Sequence, residues 1–251
     1  FYVNIKTTLI MKTIVFNSPN HSTKIRKKKI KFIVIHYTGM QSERACIERL
    51  SDNKSQVSTH YLINRIGSII KMVNEKNTAW HAGKSKWKNS TNLNDQSIGI
   101  ELVNKGHQFG YEDFPKKQIS KLILLCKFLI KKYKIKKKNI LGHSDIAPLR
   151  KKDPGEKFPW YSLSKKKIGY WHNVNKKNVN NKISNKGDLR NFFFNNLYKI
   201  GYRYFDKKKS SKSDFQVIKA FQRRFRQNKV TGLIDQESYQ ISHYLANSLK
   251  Y

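Results

Sequence analysis

The sequence predicts a mixed α/β fold, with a central β-sheet flanked by helices, followed by a small all-α unit of three helices. Three observations lead there. Short β-branched and aromatic runs, Phe32 to Tyr37 and Ser97 to Val103, have the length and composition of buried strands. Between Ile119 and Tyr133, apolar residues recur at three- and four-residue steps, the period of an amphipathic helix. After Trp171 the composition shifts to Asn, Lys and Ser, and three shorter helical stripes follow.

In chain order, Phe32 to Tyr37 is a buried strand that ends at His36. Ser42 is placed to cap a short helix running through Leu50. His60–Asn64 and Ile69–Val73 flank Arg65-Ile-Gly67-Ser68 as a hairpin. In the next strand Ile98 and Ile100 alternate with Gly99 and Glu101, so Glu101 faces away from both isoleucines. The long helix follows, with Ile119, Leu122, Cys126 and Leu129 on one side. Asn139 to His143 is a short strand that leads into a loop stiffened by Pro148 and Pro154.

Residues 176–186 have little to bury and read as a linker between a unit over 1–175 and one over 187–251. In the latter, Leu189, Phe192, Phe193 and Leu197 form one stripe, and Val217, Ile218, Phe221 and Phe225 a second. Ile241, Leu245 and Leu249 form the third, after a turn over Val230 to Asp235. Three such helices close a small core together, although none would be stable alone.

With 38% hydrophobic residues the chain can bury a core and is no disordered polycation. Its net charge of +36, from 52 Lys and Arg against 16 Asp and Glu, favours polyanionic surroundings such as nucleic acid, anionic lipid or an acidic wall polymer. The abundance of Lys, Asn, Ile, Phe and Tyr also fits an AT-rich coding sequence, which would make the charge incidental. Cys46 and Cys126 both sit among apolar residues at helical spacing, so buried free thiols are expected. No run approaches the roughly 18 apolar residues of a membrane helix. Phe1 to Asn20 carries no convincing signal-peptide cleavage site, and a start at Phe fits either a lost export signal or an artificial end.

The chemistry concentrates at two strand ends. His36 closes one apolar run and His143 another, and Asp153 follows His143 ten positions later in the proline-stiffened loop. Two imidazoles and a carboxylate can hold zinc and leave its fourth position open for water. Either histidine alone reads as a hydrogen-bonded structural residue, and spacing by itself leaves both readings open. Glu101, on a largely apolar strand, is a carboxyl group reluctant to ionise and so a candidate proton shuttle. Lys151, two residues before Asp153, would point the same way in an extended loop and could steady an oxyanion. Its plainer reading is one member of the basic run Arg150-Lys151-Lys152.

Five segments together resemble the successive blocks of the type 2 N-acetylmuramoyl-L-alanine amidases. They are Phe32 to Thr38, Ser58 to Ile63, Ala79-Trp-His-Ala-Gly83, Leu93 to Glu101, and Gly142-His143-Ser-Asp-Ile-Ala-Pro with Lys151-Lys-Asp153-Pro-Gly, all in the family's order. The resemblance implies zinc held by His36, His143 and Asp153, Glu101 as acid/base and Lys151 as transition-state partner. His60 stands where peptidoglycan-recognition and phage relatives carry a catalytic Tyr, and those relatives lack the glutamate. His60 is therefore read as substrate-lining, together with His81, Tyr37 and Arg150. The tail resembles a peptidoglycan-binding three-helix domain through Leu197 to Tyr202, Val217 to Gln222 and Gly232 to Asp235. Phe221 and Phe225 in it read first as core.

The reading that follows is zinc-dependent hydrolysis of the amide between N-acetylmuramic acid, possibly in its 1,6-anhydro form, and L-alanine of the stem peptide. Its setting is cell-wall turnover or recycling, and its place the periplasm or cell envelope, with the cytoplasm as the alternative. The rivals are a non-catalytic peptidoglycan-recognition protein and a basic nucleic-acid-binding protein, although no recognised nucleic-acid module is present. A zinc peptidase is weaker still, because the chain has no His-Glu-x-x-His helix.

Overall fold

The computed structural model describes residues 13–174 and 186–248. Among the described residues there are ten strands: β1 (Ile14–Val15), β2 (His21–Ile25), β3 (Phe32–Tyr37), β4 (Tyr61–Ile63), β5 (Ile69–Lys71), β6 (Asn77–Ala79), β7 (Lys86–Trp87), β8 (Ser90–Thr91), β9 (Ser97–Leu102) and β10 (Ile140–Gly142). The helices are α1 (Glu43–Ser51), α2 (Lys116–Tyr133), α3 (His143–Ile146), α4 (Trp160–Lys165), α5 (Lys186–Ile200), α6 (Ser213–Phe225) and α7 (Gln236–Ser248).

The main sheet has the order β1-β5-β4-β9-β3-β10. Its core, β4-β9-β3-β10, is parallel, and β5 joins β4 antiparallel through the hairpin expected around Gly67. Parallel strands are covered on both faces, which explains why β3 reads as an unbroken apolar run rather than an alternating one. The two faces nonetheless take alternate residues. Ile33, Ile35, Ile98 and Ile100 pack with Leu122, Leu125 and Leu129 of α2. Phe32, Val34 and Leu141 turn to the opposite face. Register sets His36 beside Glu101 and Ile35 beside Gly142, so His143 begins where β10 ends. Both histidines and the glutamate thus meet at the carboxyl ends of parallel strands, where open α/β sheets place their ligands.

Helix α1 begins as expected, with the Ser42 side chain accepting the Ala45 N–H, and it buries Cys46 and Leu50. Cys126 is buried on α2, and both thiols are free.

The linker expected over 176–186 lies, up to residue 185, outside the described residues. The three helical stripes fold as α5, α6 and α7, with one correction. On α5 Phe192 is 54% exposed, and the buried face is Phe193, Phe194, Leu197 and Ile200. The stripe is rotated because α5 lies along α7 while Phe193 packs on Phe221 of α6 and Phe194 on Phe205, which widens its apolar arc beyond a single line. Leu249 of the third stripe lies outside the described residues.

These helices share one continuous core with the sheet: Phe193, Phe221 and Ile241 belong to the same cluster as Val34, Trp87, Leu141 and Ile146. Gly201 enables the close approach, since a Cβ there would lie 2.4 Å from the Trp87 ring, and its carbonyl accepts the Lys88 N–H at 2.9 Å. Deeper in, the buried Arg224 guanidinium of α6 bonds the Asp145 carboxylate of α3 and the Ile140 carbonyl (2.8 Å), and lies 4.2 Å from the Trp160 ring centroid. Asp145 also accepts from Tyr202 Oη at 2.6 Å and from the Gly142 N–H at 2.8 Å. Every polar atom of that carboxylate is answered, as a buried charge requires.

Candidate metal centre

His36 Nδ1 lies 2.9 Å from His143 Nδ1 and 3.0 Å from Asp153 Oδ2, and the third side of the triangle, His143 to Asp153, is 3.1 Å. All three residues are buried. His143 reaches this point from the first turn of α3. Asp153 is brought back to it by the loop, whose Asp153 carbonyl accepts the Ser144 N–H at 2.8 Å.

The protonation pattern tests whether a metal belongs here. His143 Nε2 lies 3.1 Å from the Ala82 carbonyl, which can only accept, and 3.4 Å from Arg150 Nη2, which can only donate; the nearer contact favours the proton on Nε2 and a bare Nδ1. That bare nitrogen then faces a carboxylate oxygen, two acceptors in contact with no proton to share. A cation between them resolves the conflict. Tetrahedral zinc ligands at about 2.0–2.1 Å from the ion lie roughly 3.3 Å apart, close to the separations seen. The donor set fits a small divalent cation.

Electrostatics favours the same state. Burial, helped by the neighbouring His143, pushes His36 down to about 4, so it is neutral at pH 7. Burial would raise Asp153, but the facing His143 and His36 outweigh it and hold the carboxyl well below its usual range. A neutral His36 and an ionised Asp153 are forms that can ligate a metal.

His143 and Asp153 line a cleft of about 460 Å³ together with Tyr37, Trp80, His81, Glu101, His107 and Lys151, and His36 lies buried directly behind them. Glu101 Oε2 is buried with no hydrogen-bond partner. Burial, reinforced by the Asp153 charge and opposed by Lys151, lifts its pKa to about 8. This is the reluctant carboxyl group that an apolar strand predicts.

The substrate-lining expectations divide. Tyr37 lines the cleft, with its hydroxyl donating to His107 Nδ1 at 2.8 Å while His107 Nε2 faces Glu156 at 3.1 Å. Arg150 also lines it, but its guanidinium is occupied by the Ala82 and Lys84 carbonyls. His81 reaches the cleft wall and also contacts His36. His60 is a correction: it is fully buried, is absent from the cleft, and accepts the Gly99 N–H at 3.0 Å. Position in a motif does not show how deeply a ring will be buried, and this one is taken up by Gly99, Arg26 and the His81 ring. The Tyr37–His107–Glu156 chain escaped the sequence reading. Its one signal was Glu156 directly after Asp153-Pro-Gly.

Fold and site together define a class: a mixed-sheet protein whose two histidines and aspartate could hold a metal ion, with a protonatable carboxyl group beside them. The comparisons narrow it. A family model described as N-acetylmuramoyl-L-alanine amidase matches residues 26–156. N-acetylmuramoyl-L-alanine amidase AmiD of Escherichia coli is 38% identical over 232 residues, covering 86% of this chain and 82% of that protein. Its structure, solved in complex with the substrate anhydro-N-acetylmuramic acid-L-Ala-D-gamma-Glu-L-Lys, superposes with a TM-score of 0.76 at 34% identity, over 90% of this chain and 93% of that one. AMPDH3 of Pseudomonas aeruginosa gives a TM-score of 0.78 at 31% identity, over 96% of this chain and 100% of that one. The chain belongs to the N-acetylmuramoyl-L-alanine amidase family.

Proposed function

We propose that this protein is a zinc-dependent amidase that hydrolyses the bond between N-acetylmuramic acid and L-alanine of peptidoglycan stem peptides, accepting 1,6-anhydro-muropeptides. The observation that carries the reading is the convergence of three ligand atoms, with separations of 2.9 to 3.1 Å, beside an unpartnered buried carboxyl group. The relative solved with an anhydro-muropeptide supports the substrate class.

His36, His143 and Asp153 would hold a zinc ion, which when bound would supply Lewis acidity to the scissile carbonyl and acidify the attacking water. Glu101, with its pKa near working pH, takes the proton from that water and returns it to the departing L-alanine amine. Lys151, from the cleft wall, steadies the negative charge on the carbonyl oxygen. Tyr37, fixed through His107 to Glu156, forms a rigid side of the cleft for the glycan or peptide. Among the described residues no helix is long and apolar enough to cross a membrane. The substrate and the wall-binding resemblance of the tail support action in the cell envelope.

We further propose that residues 1–175 and 187–251 are catalytic and peptidoglycan-binding parts that operate as one body, which the shared core supports. Mass spectrometry of digested anhydro-muropeptides, with metal analysis of the same sample, tests the function. Release of the free L-Ala-headed peptide by zinc-loaded protein is expected. Binding of muropeptide without cleavage would instead indicate a recognition protein.

A further inference from the structure

The turn His81–Ala82 touches both imidazole ligands from behind, and its hydrogen bonds can be followed proton by proton. Ser97 Oγ lies 2.7 Å from the Leu93 carbonyl and 3.1 Å from His81 Nε2. A hydroxyl has one proton and the carbonyl can only accept, so Ser97 donates to Leu93. Its oxygen is then an acceptor toward His81, and His81 must carry its proton on Nε2. His81 Nδ1 is therefore bare, and it faces His36 Nε2 at 3.0 Å. His36 must donate there, which leaves its own Nδ1 bare toward His143 and Asp153. The next residue favours the same tautomer in the second ligand: the Ala82 carbonyl lies 3.1 Å from His143 Nε2, nearer than Arg150 Nη2 at 3.4 Å, which itself donates to that carbonyl.

The turn is held firmly. Asn94 Oδ1 accepts both the His81 and Ala82 N–H groups, at 3.2 and 2.7 Å. The His81 ring lies so close on β9 that a Cβ at Gly99 would sit 2.4 Å from its Cγ. No other residue type at position 99 leaves room for that ring.

We propose that His81 is a positioning residue: together with the Ala82 carbonyl, and directed by Ser97, it fixes both imidazole ligands in the Nε2–H tautomer that turns their Nδ1 lone pairs on the metal. Outer partners of this kind orient a ligand ring and raise its basicity, and their loss typically costs about 10–100-fold in metal affinity. The inference rests on reading His36, His143 and Asp153 as zinc ligands.

The test combines zinc affinity, by chelator competition, with long-range proton–nitrogen NMR of the histidine rings in the unsubstituted protein. His81→Leu should weaken zinc binding by about 10–100-fold. His81→Asn, whose amide oxygen can replace Nδ1 as acceptor, should recover most of that loss, and Ser97→Ala should fall between them. The NMR spectrum should show His36 and His143 as Nε2–H tautomers, a readout that needs no variant to fold. An Nδ1–H tautomer for His36, or His81→Leu with unchanged zinc affinity and only a raised KM, would overturn the proposal and make His81 a substrate contact. Failure of the unsubstituted protein to bind zinc would instead overturn the ligand reading beneath it.

Discussion

Glu101 owes its chemistry to where its strand ends. A carboxyl group at the carboxyl edge of β9, without a hydrogen-bond partner on Oε2, holds its proton to about pH 8. Glu101→Gln should retain zinc and lose about 10²–10⁴ in turnover, measured on anhydro-muropeptide. The same burial has a signature in stability. Glu101 titrates from an ordinary 4.5 to about 8 in the folded chain, so the folded state resists its ionisation. Metal-free protein should therefore lose stability as pH rises through that window. His36 runs the other way, from 6.5 down to about 4, and should cost stability as pH falls from 6.5 toward 4. Urea unfolding in chelator across these ranges checks both slopes, and Glu101→Gln should abolish only the alkaline one. That two histidines close strands and that a glutamate sits in an apolar strand was legible in the sequence, because these are local features; the roles proposed for them came from the resemblance. The tertiary fates of His60 and His81 were not legible. Both rings gather at Gly99, one accepting its N–H and the other filling the space a Cβ would take, and no spacing in the chain reports that meeting.

Among the elements, β3 and β9 do most to set the site, since their parallel register places His36 beside Glu101. Their apolar runs were readable as strands, and the period of α2 as a helix, because each pattern outlasts local noise. The rotation of the α5 stripe was not readable, because α5 packs against two partners at once and period alone marks only one arc. Coupling between elements is clearest at Asp145 and Arg224, which tie α3, the helix that begins with His143, to α6 in the tail. Removing one member of a buried ion pair strands the other, at a cost of about 3–5 kcal/mol. Arg224→Ala should lower stability by that order in denaturant unfolding and should weaken zinc binding by disturbing α3. A variant at parental stability would show that Asp145 finds water or another partner when Arg224 is gone.

At the scale of the whole molecule, the tail is packed into the sheet rather than suspended beside it. Phe193 and Phe221 share a core with Val34 and Leu141, and a tethered domain would instead keep its own. We expect one cooperative unfolding transition in calorimetry, and two separate transitions would contradict the shared-core account. The composition break after Trp171 marked where the second set of helices begins, yet composition says nothing about docking, which depends on Gly201 meeting Trp87. The charge of +36 should make association with anionic wall polymer fall steeply with added salt.

The most direct test of the central claim is the zinc content of the dialysed protein, measured beside that of Asp153→Ala. The account predicts about one zinc ion per chain in the former and little or none in the latter, because a carboxylate removed from a three-residue set leaves too few ligands. Zinc absent from both, or retained equally by both, would contradict it.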